Sequence, residues 1–400
     1  MTEIAAQLRA LIERDVEIPD PRNVHVDESV DPTRIAPGVR IHPGCRLYGE
    51  ATSIGPCCVL GEEAPVTLDN CQLGKGVVLK GGFFSGATFL DGVSFGSGAH
   101  VRPGTLLEEH SCCAHCVGLK QTVFMPFVVT GSLINFCDCL MAGGTGRENH
   151  SEVGSSYVHF NFTPHRDKAT ASLVGEVPRG VMLDQPPIFL GGQGGLVGPA
   201  RIEYGVVTAA GTIVRGDLPE GGQLVFSRPG HGHGRRPFKP GAYGDVRRIV
   251  NNCMIYLGNI HALYQWYAQI RSMFFGRDPY DRGCFEGACK QLRRIVAERM
   301  KRVGELAGKV AAGTDRTAGT ARGSQQAFVE QWPRVGDGLG LDKTAEACPG
   351  APAILVDEMR RAAGEGDYIA AVRALTTTAR QAGTDWLQEI VDAISGTLHL

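Results

Sequence analysis

Apolar residues recur at every sixth position through the first half of the chain. Val101, Leu107, Cys113, Leu119 and Met125 are evenly spaced, as are Leu190, Leu196, Ile202, Thr208 and Val214. Ile41 to Leu47, Ile54 to Leu60 to Val66, and Leu73 to Leu79 carry the same interval with slips of one residue. Strand alternation has a period of two and a helix one of 3.6, so neither produces six by itself. A chain that turns a corner after every short strand does produce it, which predicts a parallel β-helix. Gly follows the inward position in Ile54-Gly55, Leu60-Gly61, Leu73-Gly74, Val153-Gly154 and Val174-Gly175. Corners take Gly where a side chain would clash or φ must be positive. Small residues four places on, Cys45 and Cys58 among them, are read as packing beneath the aliphatic ones.

The spacing becomes helical toward the C-terminus. Val246, Val250, Met254, Leu257, His261, Tyr264 and Ala268 predict the buried face of a helix from Asp245 to about Phe275, and a second helix is expected over about 284–311. Residues 312–324, rich in Gly, Thr and Ala, read as a linker, with further helices over about 351–364, 367–381 and 384–396. Near the start, Ile4, Leu8, Leu11 and Ile12 share one face of a short amphipathic helix. It is expected to cap the first coil, whose open end exposes strand edges and core. The predicted organisation is an N-terminal helix and lead-in cap over residues 1–35, the β-helix over 36–234 and a helical region over 235–400.

Composition narrows the function. The chain has 54 Gly in 400 residues, about twice the usual share of roughly 7%, and the repeat corners account for the excess. Forty Lys and Arg against 42 Asp and Glu leave a net charge of -2, so no basic field points to nucleic acid or an acidic membrane as partner. No apolar stretch approaches the roughly 20 residues of a bilayer span, and Met1 to Ala10 lacks the charged-then-apolar order of a signal peptide. The expectation is a cytoplasmic protein. Thirteen cysteines, an odd number, fit reduced thiols in that compartment better than a disulfide framework.

The hexapeptide period resembles that of the hexapeptide-repeat acyltransferase family, whose coils form a left-handed parallel β-helix. Between about residues 100 and 218 the resemblance sharpens. Arg102-Pro103-Gly104, Lys120 and Gly131-Ser132-Leu133 match in spacing the family's glucosamine-1-phosphate acetyltransferases, which serve UDP-N-acetylglucosamine synthesis and carry Gly-His-Leu at the third place. Val153-Gly154-Ser155-Ser156, Asn161-Phe162, Ile188-Phe189-Leu190-Gly191-Gly192 and Thr208-Ala209-Ala210-Gly211-Thr212 fall where that family has its later signatures. The Gly-rich nucleotidyl-transfer motif of the bifunctional members is not visible, so pyrophosphorylase chemistry is not expected.

The resemblance implies roles. Arg102, Lys120, Asn135, Asn161 and Lys168 would contact a hexosamine phosphate or nucleotide sugar. Ser155, Ser156, Gly192, Ala209 and Ala210 would hold acetyl-CoA or another acyl-CoA as co-substrate, with main-chain N–H groups near Ser155 and Ser156 facing the developing oxyanion. A planar guanidinium and a point charge about one coil apart suit one anionic group. The family also implies a homotrimer with sites between neighbouring solenoids.

One residue departs from the pattern. N-acyl transfer requires an uncharged amine attacking a thioester, and the family's histidine accepts the proton. Ser132 stands in its place, and a serine hydroxyl is no general base near neutral pH without an activator. His165, in the loop Thr163-Pro164-His165-Arg166-Asp167-Lys168, and His159, two residues before Asn161, are the leading substitutes, with His150 and Asp138 also near in sequence. Two readings stay open: an acyltransferase with a relocated base, and a non-catalytic sugar-nucleotide binder or scaffold. His110-Ser111-Cys112-Cys113-Ala114-His115-Cys116 raises a metal question. Gly74 stands where the β-helix carbonic anhydrases place a third histidine, so no metal is expected.

Overall fold

Three repeats close one coil. Ala99–Val101, Thr105–Leu107 and Cys112–Cys113 form successive strands, after which Val117–Lys120 lies in parallel register on Ala99–Val101. A computed structural model describes residues 5–158, 168–227, 242–276, 278–313, 320–344, 348–364 and 366–400. Its strands stack into three parallel sheets. Sheet I has ten strands, from His25–Val26 to Ile213–Val214; sheet II has eight, from Ser53–Ile54 to Arg201–Ile202; sheet III has ten, from Arg40–Ile41 to Leu224–Val225.

The six-residue period is the core. All the repeat positions named above are buried, and so are Cys45 and Cys58. Phe84, Phe89 and Phe95 meet edge to face in one layer, 5.3 to 5.8 Å between ring centres. All thirteen cysteines are free thiols, and burial pushes Cys58 and Cys71 up to about 12, so both stay protonated small core residues. The corners use Gly for two distinct reasons. A Cβ on Gly154 would lie 2.6 Å from the nitrogen of Gly192, whereas Gly104 takes a φ of +82°. In the middle coils Cys116, Leu133 and Asp138 occupy that same left-handed region at 57 to 58°, without being Gly.

Helices lie across the first coil and along one sheet. In α1 (Ala6–Glu13) Leu8 and Leu11 are buried, and Gln7 donates to the carbonyls of Glu28 and Val30 at 3.2 and 3.3 Å. The short α2 (Val177–Gly180) sits at the corner between sheets II and III. Then come α3 (Arg247–Gln269), α4 (Pro279–Gly313), α5 (Thr320–Gly338), α6 (Leu341–Thr344), α7 (Ala353–Ala363), α8 (Tyr368–Arg373) and α9 (Thr377–Ser395). No helix among the described residues is long and apolar enough to cross a membrane.

The long helix α4 runs up sheet II like a rail. A Cβ on Gly283 would lie 2.9 Å from Ser53 Oγ, Gly287 abuts Gln72 and Thr88, Gln291 accepts from the Gly104 N–H at 3.3 Å, and Arg299 reaches Asp138 at 2.7 Å. From residue 283 to 299 the helix rises roughly 24 Å. Five strand spacings, from Ser53 to the strand Cys139–Met141, also come to roughly 24 Å. Small or polar residues on α4 fit this close approach to outward-facing Ser, Gln and Thr.

Helix α3 descends beside it. The Asn252 amide donates to Asp217 at 2.8 Å, Asn259 Oδ1 accepts from the Val177 N–H at 2.8 Å, and the Tyr267 hydroxyl donates to Glu108 at 2.6 Å. On its far side Gly258 meets α9, where a Cβ would come within 2.8 Å of the Val391 carbonyl. Burial on both sides explains the buried Tyr256, Trp266 and Tyr267 outside the expected stripe. Ala268, expected inside, is exposed.

Arg271, just past α3, closes the seam between helices and solenoid. Its guanidinium is buried, lies 3.3 Å from Glu108, pairs with Glu109 and stacks 3.9 Å from the ring centre of Tyr368. Two expectations for the C-terminal region change. Helix α5 begins inside the stretch 312–324 expected as a linker and continues to Gly338, where no element was predicted, burying Phe328 and anchored by Gln325 Nε2 donating to the Tyr243 and Gly244 carbonyls at 2.9 and 2.8 Å; Pro333 and the glycines give the segment low intrinsic helicity. The break expected at 382–383, between helices over 367–381 and 384–396, falls instead at 374–376 between α8 and α9, and α9 runs unbroken through Gly383, which packs on Met182 and Leu355.

Candidate functional site

Sheet I presents one column of outward residues: Thr67, Phe83, His100, Gly118, Asn135 and Tyr157, each in register with the next. His100 stacks on Phe83 with ring centres 5.2 Å apart. Gly118 breaks the column. His100 and Asn135 lie on either side of it, about 10 Å apart at the main chain, with only backbone between. A Cβ on Gly118 would make an ordinary contact of 3.6 Å with Asn135 Oδ1. The glycine is therefore not demanded by packing, and its effect is a notch in the face.

The notch is bordered by cations on the side of sheet II. The Arg102 N–H donates to the Leu119 carbonyl at 2.9 Å, and Lys120 pairs in register with Cys137. Arg102, Lys120 and Cys137 thus occupy one position in three successive coils. Arg102 is exposed and Lys120 half-buried, and no carboxylate among the described residues forms a salt bridge with either. Burial raises the Cys137 thiol, while the charges of Arg102 and Lys120 pull it the other way. Lys168 is exposed shortly before the strand Ser172–Val174, at the same corner one coil farther up.

The opposite border, between sheets III and I, stacks His115, Ser132, Ser155, Gly192 and Ala210 in successive coils. Ser132 Oγ lies 2.7 Å from His115 Nδ1. Above this pair the border is small: Ser155 and Ala210 are exposed, Gly192 half-buried and Ala209 half-buried, while Ser156 is buried with its hydroxyl donating to the Gly154 carbonyl at 2.7 Å. Among the described residues the N–H groups of Ser155, Ser156, Gly192 and Ala210 have no main-chain acceptor, so this edge offers a row of donors. Ile134–Cys137, four residues long, separates the two borders by roughly 13 Å.

The expected site residues distribute as follows. Arg102, Lys120, Asn135 and Ser132 gather on one face of sheet I, with Ser155, Ser156, Gly192, Ala209 and Ala210 continuing up its edge. His159, Asn161 and His165 lie outside the described residues. Asp138 is engaged by Arg299, and His150 belongs to a hairpin beside sheet III, its Nδ1 2.7 Å from the Arg147 carbonyl and its Nε2 3.7 Å from Glu152. His110 and His115 stand at different corners, and Arg147 approaches His110 Nδ1 at 2.7 Å. Sequence reasoning passed over His115 as a partner of Ser132. The signal was the coil length: Cys112 and Val129 pair seventeen residues apart, as are His115 and Ser132.

In the acidic crevice at the corner between sheets II and III, a cavity of about 550 Å³ is lined by Lys75, Asp91, Glu109, Arg271, Asp281 and Tyr368, among others. It is remote from the notch in the coil, and its carboxylates are partly spent on Arg271.

Comparison with known proteins supplies relatives for the solenoid. The chain is 28% identical over 235 residues to the bifunctional protein GlmU of Pelobacter propionicus, covering 57% of this chain and 46% of that protein. It is 29% identical over 243 residues to GlmU of Mycobacterium bovis, 60% of this chain and 44% of that protein, and 25% identical over 213 residues to GlmU of Thermotoga petrophila, 53% and 42%. The chain spans about half the length of the curated relatives it matches. No family model matches it. Among solved structures, that of the polysialic acid O-acetyltransferase OatWY aligns over 56% of this chain and 90% of its own at 12% identity, with a TM-score of 0.17.

Proposed function

Given that the solenoid is that of the hexapeptide-repeat acetyltransferases, we propose that the chain transfers an acyl group from acetyl-CoA or another acyl-CoA to a hexosamine phosphate or a nucleotide sugar related to UDP-N-acetylglucosamine. The observation that carries this reading is the notch on sheet I: Arg102 and Lys120 along one border, Asn135 within, and Ser132 with the small, donor-rich edge of Ser155, Gly192 and Ala210 along the other. Anions bind at the first border through charge-assisted hydrogen bonds. The sugar lies across Gly118 against Asn135, with Lys168 adding a contact from the coil above, and Asn161 is assigned to sugar binding by the resemblance alone. The thioester lies against the second border, where main-chain N–H groups stabilise the oxyanion and Ser156 and Ala209 shape the wall. Helices cover sheet II, so assembly into a homotrimer uses sheets I and III, and the protein works in the cytoplasm with its thiols reduced.

The second reading, a sugar-nucleotide-binding scaffold without chemistry, keeps the cationic border and is favoured by Ser132 in the histidine's place. The deciding experiment incubates the protein with acetyl-CoA and a panel of amino-sugar phosphates and nucleotide sugars, and follows acylated product and free CoA by chromatography with mass detection. Thiol-reactive dyes are unsuitable with thirteen free cysteines. Acylated product supports the leading reading. Nucleotide-sugar binding by calorimetry without any transfer supports the scaffold, and a folded protein that binds neither ligand excludes both.

A further inference from the structure

The reading above lacks a base, and the structure offers one that the sequence spacing had not assigned. We propose that the proton released in acyl transfer leaves through the Ser132 hydroxyl to His115, one coil below; this rests on the acyltransferase reading.

Three observations carry it. First, Ser132 Oγ and His115 Nδ1 are 2.7 Å apart, the length of a good hydrogen bond, which the relay uses with the hydroxyl as donor and the Nδ1 lone pair as acceptor. Second, the pair is built into the ladder. The Leu133 N–H donates to the His115 carbonyl at 3.1 Å, the Ile134 N–H to the Cys116 carbonyl at 3.3 Å and the Gly131 N–H to the Val153 carbonyl at 2.8 Å. Cys116 and Leu133, the residues after His115 and Ser132, share a φ of 58 and 57°. The two corners therefore have one conformation, and their side chains project side by side without rearrangement. Third, both are open to a ligand: His115 is exposed and Ser132 half-exposed.

Down this corner the next charged side chains are Lys80 with Glu62 and Glu63, paired to one another at 3.6 and 3.1 Å. On the sheet III side above stand Glu152 and His150, themselves 3.7 Å apart. On the same face are His100, Arg102 and Lys120, and Cys116 and Cys112 lie beside the ring in its own coil. No carboxylate forms a salt bridge with His115 among the described residues.

The step balances without another reagent. As the acceptor nitrogen or oxygen attacks the thioester carbonyl carbon, its proton passes to Ser132 Oγ while the Ser132 proton moves to His115 Nδ1. Nε2 carries the other ring proton throughout. When the carbon–sulfur bond breaks, the sulfur departs with the bonding electrons and the proton returns along the same path, leaving acylated acceptor and free thiol. Ser132 meets the acceptor and His115 acts through it, so loss of rate alone is an insufficient test.

The full-length chain is therefore assayed as wild type, His115→Ala, His115→Gln, Ser132→Ala, and the double variant His115→Ala with Ser132→His, alongside His159→Ala and His165→Ala. Expected are a fall in kcat of roughly 10²- to 10⁴-fold for His115→Ala, acyl-CoA and nucleotide-sugar affinities within about threefold, and loss of the acid limb of the pH–rate profile. Added imidazole restores rate to His115→Ala, and the double variant recovers because its ring meets the acceptor directly. The relay is overturned if His115→Ala keeps its rate or its acid limb, if that limb instead disappears in His159→Ala or His165→Ala, or if mass spectrometry finds an acyl group on Ser132. A wild type that binds both ligands and transfers nothing to any acceptor overturns the acyltransferase reading and the relay together.

Discussion

Arg299 on α4 reaches Asp138 at the corner beyond Cys137, Nη2 to Oδ1 in 2.7 Å, with its guanidinium almost wholly buried. The helical cover thereby grips the coil whose strand carries Asn135 and Cys137. Removing one partner of a buried pair costs about 3–5 kcal/mol, since the other charge is stranded. Arg299→Met is expected to lower the unfolding free energy by that amount, and Arg299→Met combined with Asp138→Asn by less. Equilibrium denaturation of the wild type and both variants in urea checks this.

Gly118 separates folding from binding. Its φ is not in the left-handed region and a Cβ has room, so Gly118→Ala should raise stability by about 0.4–1 kcal/mol through the unfolded chain. Gly118→Leu fills the notch between His100 and Asn135 and should abolish sugar-nucleotide binding in calorimetry while the thermal midpoint stays near that of the wild type.

The cationic border predicts a charge-specific loss. Arg102→Gln and Lys120→Gln should each weaken binding of a phosphorylated sugar by tenfold to a hundredfold and leave binding of the unphosphorylated sugar nearly unchanged. The affinity gap between wild type and variant should narrow with added salt. Titrations at two ionic strengths read both effects.

The seam at Arg271 has a pH signature. Burial raises the Glu108 carboxyl to about 7, while Arg271 draws it down. With the native value above the unfolded one, the native state holds the extra proton between them, so this group's contribution is lost as pH rises through 7. Glu108→Gln cannot ionise and lacks that loss. Relative to the wild type, the variant should gain stability from pH 5.5 to pH 8, as measured by thermal midpoints across that range.

The solenoid was legible because its period is unlike any other: Leu119 or Ile202 on the wrong face would break every neighbouring coil, so the sequence is tightly constrained there. The cationic border was legible for the same reason, since a fixed coil length makes spacing equivalent to height. The Ser132–His115 pair obeys that rule too, but His115 was read along the chain, beside His110, where the fold sends the two rings to different corners. The helices were harder. Helix α5 contains Pro333 and several glycines, and α9 passes through Gly383; both are held by tertiary packing, which propensity does not register. Arg271 is distant in sequence from the adjacent Glu108 and Glu109, and nothing local announces their meeting.

Helix α4 alters how this protein comes apart. A bare solenoid contacts only its neighbours along the axis, so it can fray from an end one coil at a time. Here a single rigid strut packs closely against Ser53, Gln72 and Thr88 and is hydrogen-bonded at Gly104 and at Asp138. Loosening any of those coils disturbs the contacts at the others. The stack from Ser53 to Asp138, which includes Arg102, His115, Lys120 and Ser132, is thereby turned from a zipper into one cooperative block. Hydrogen exchange across those coils should occur at a common, slow rate.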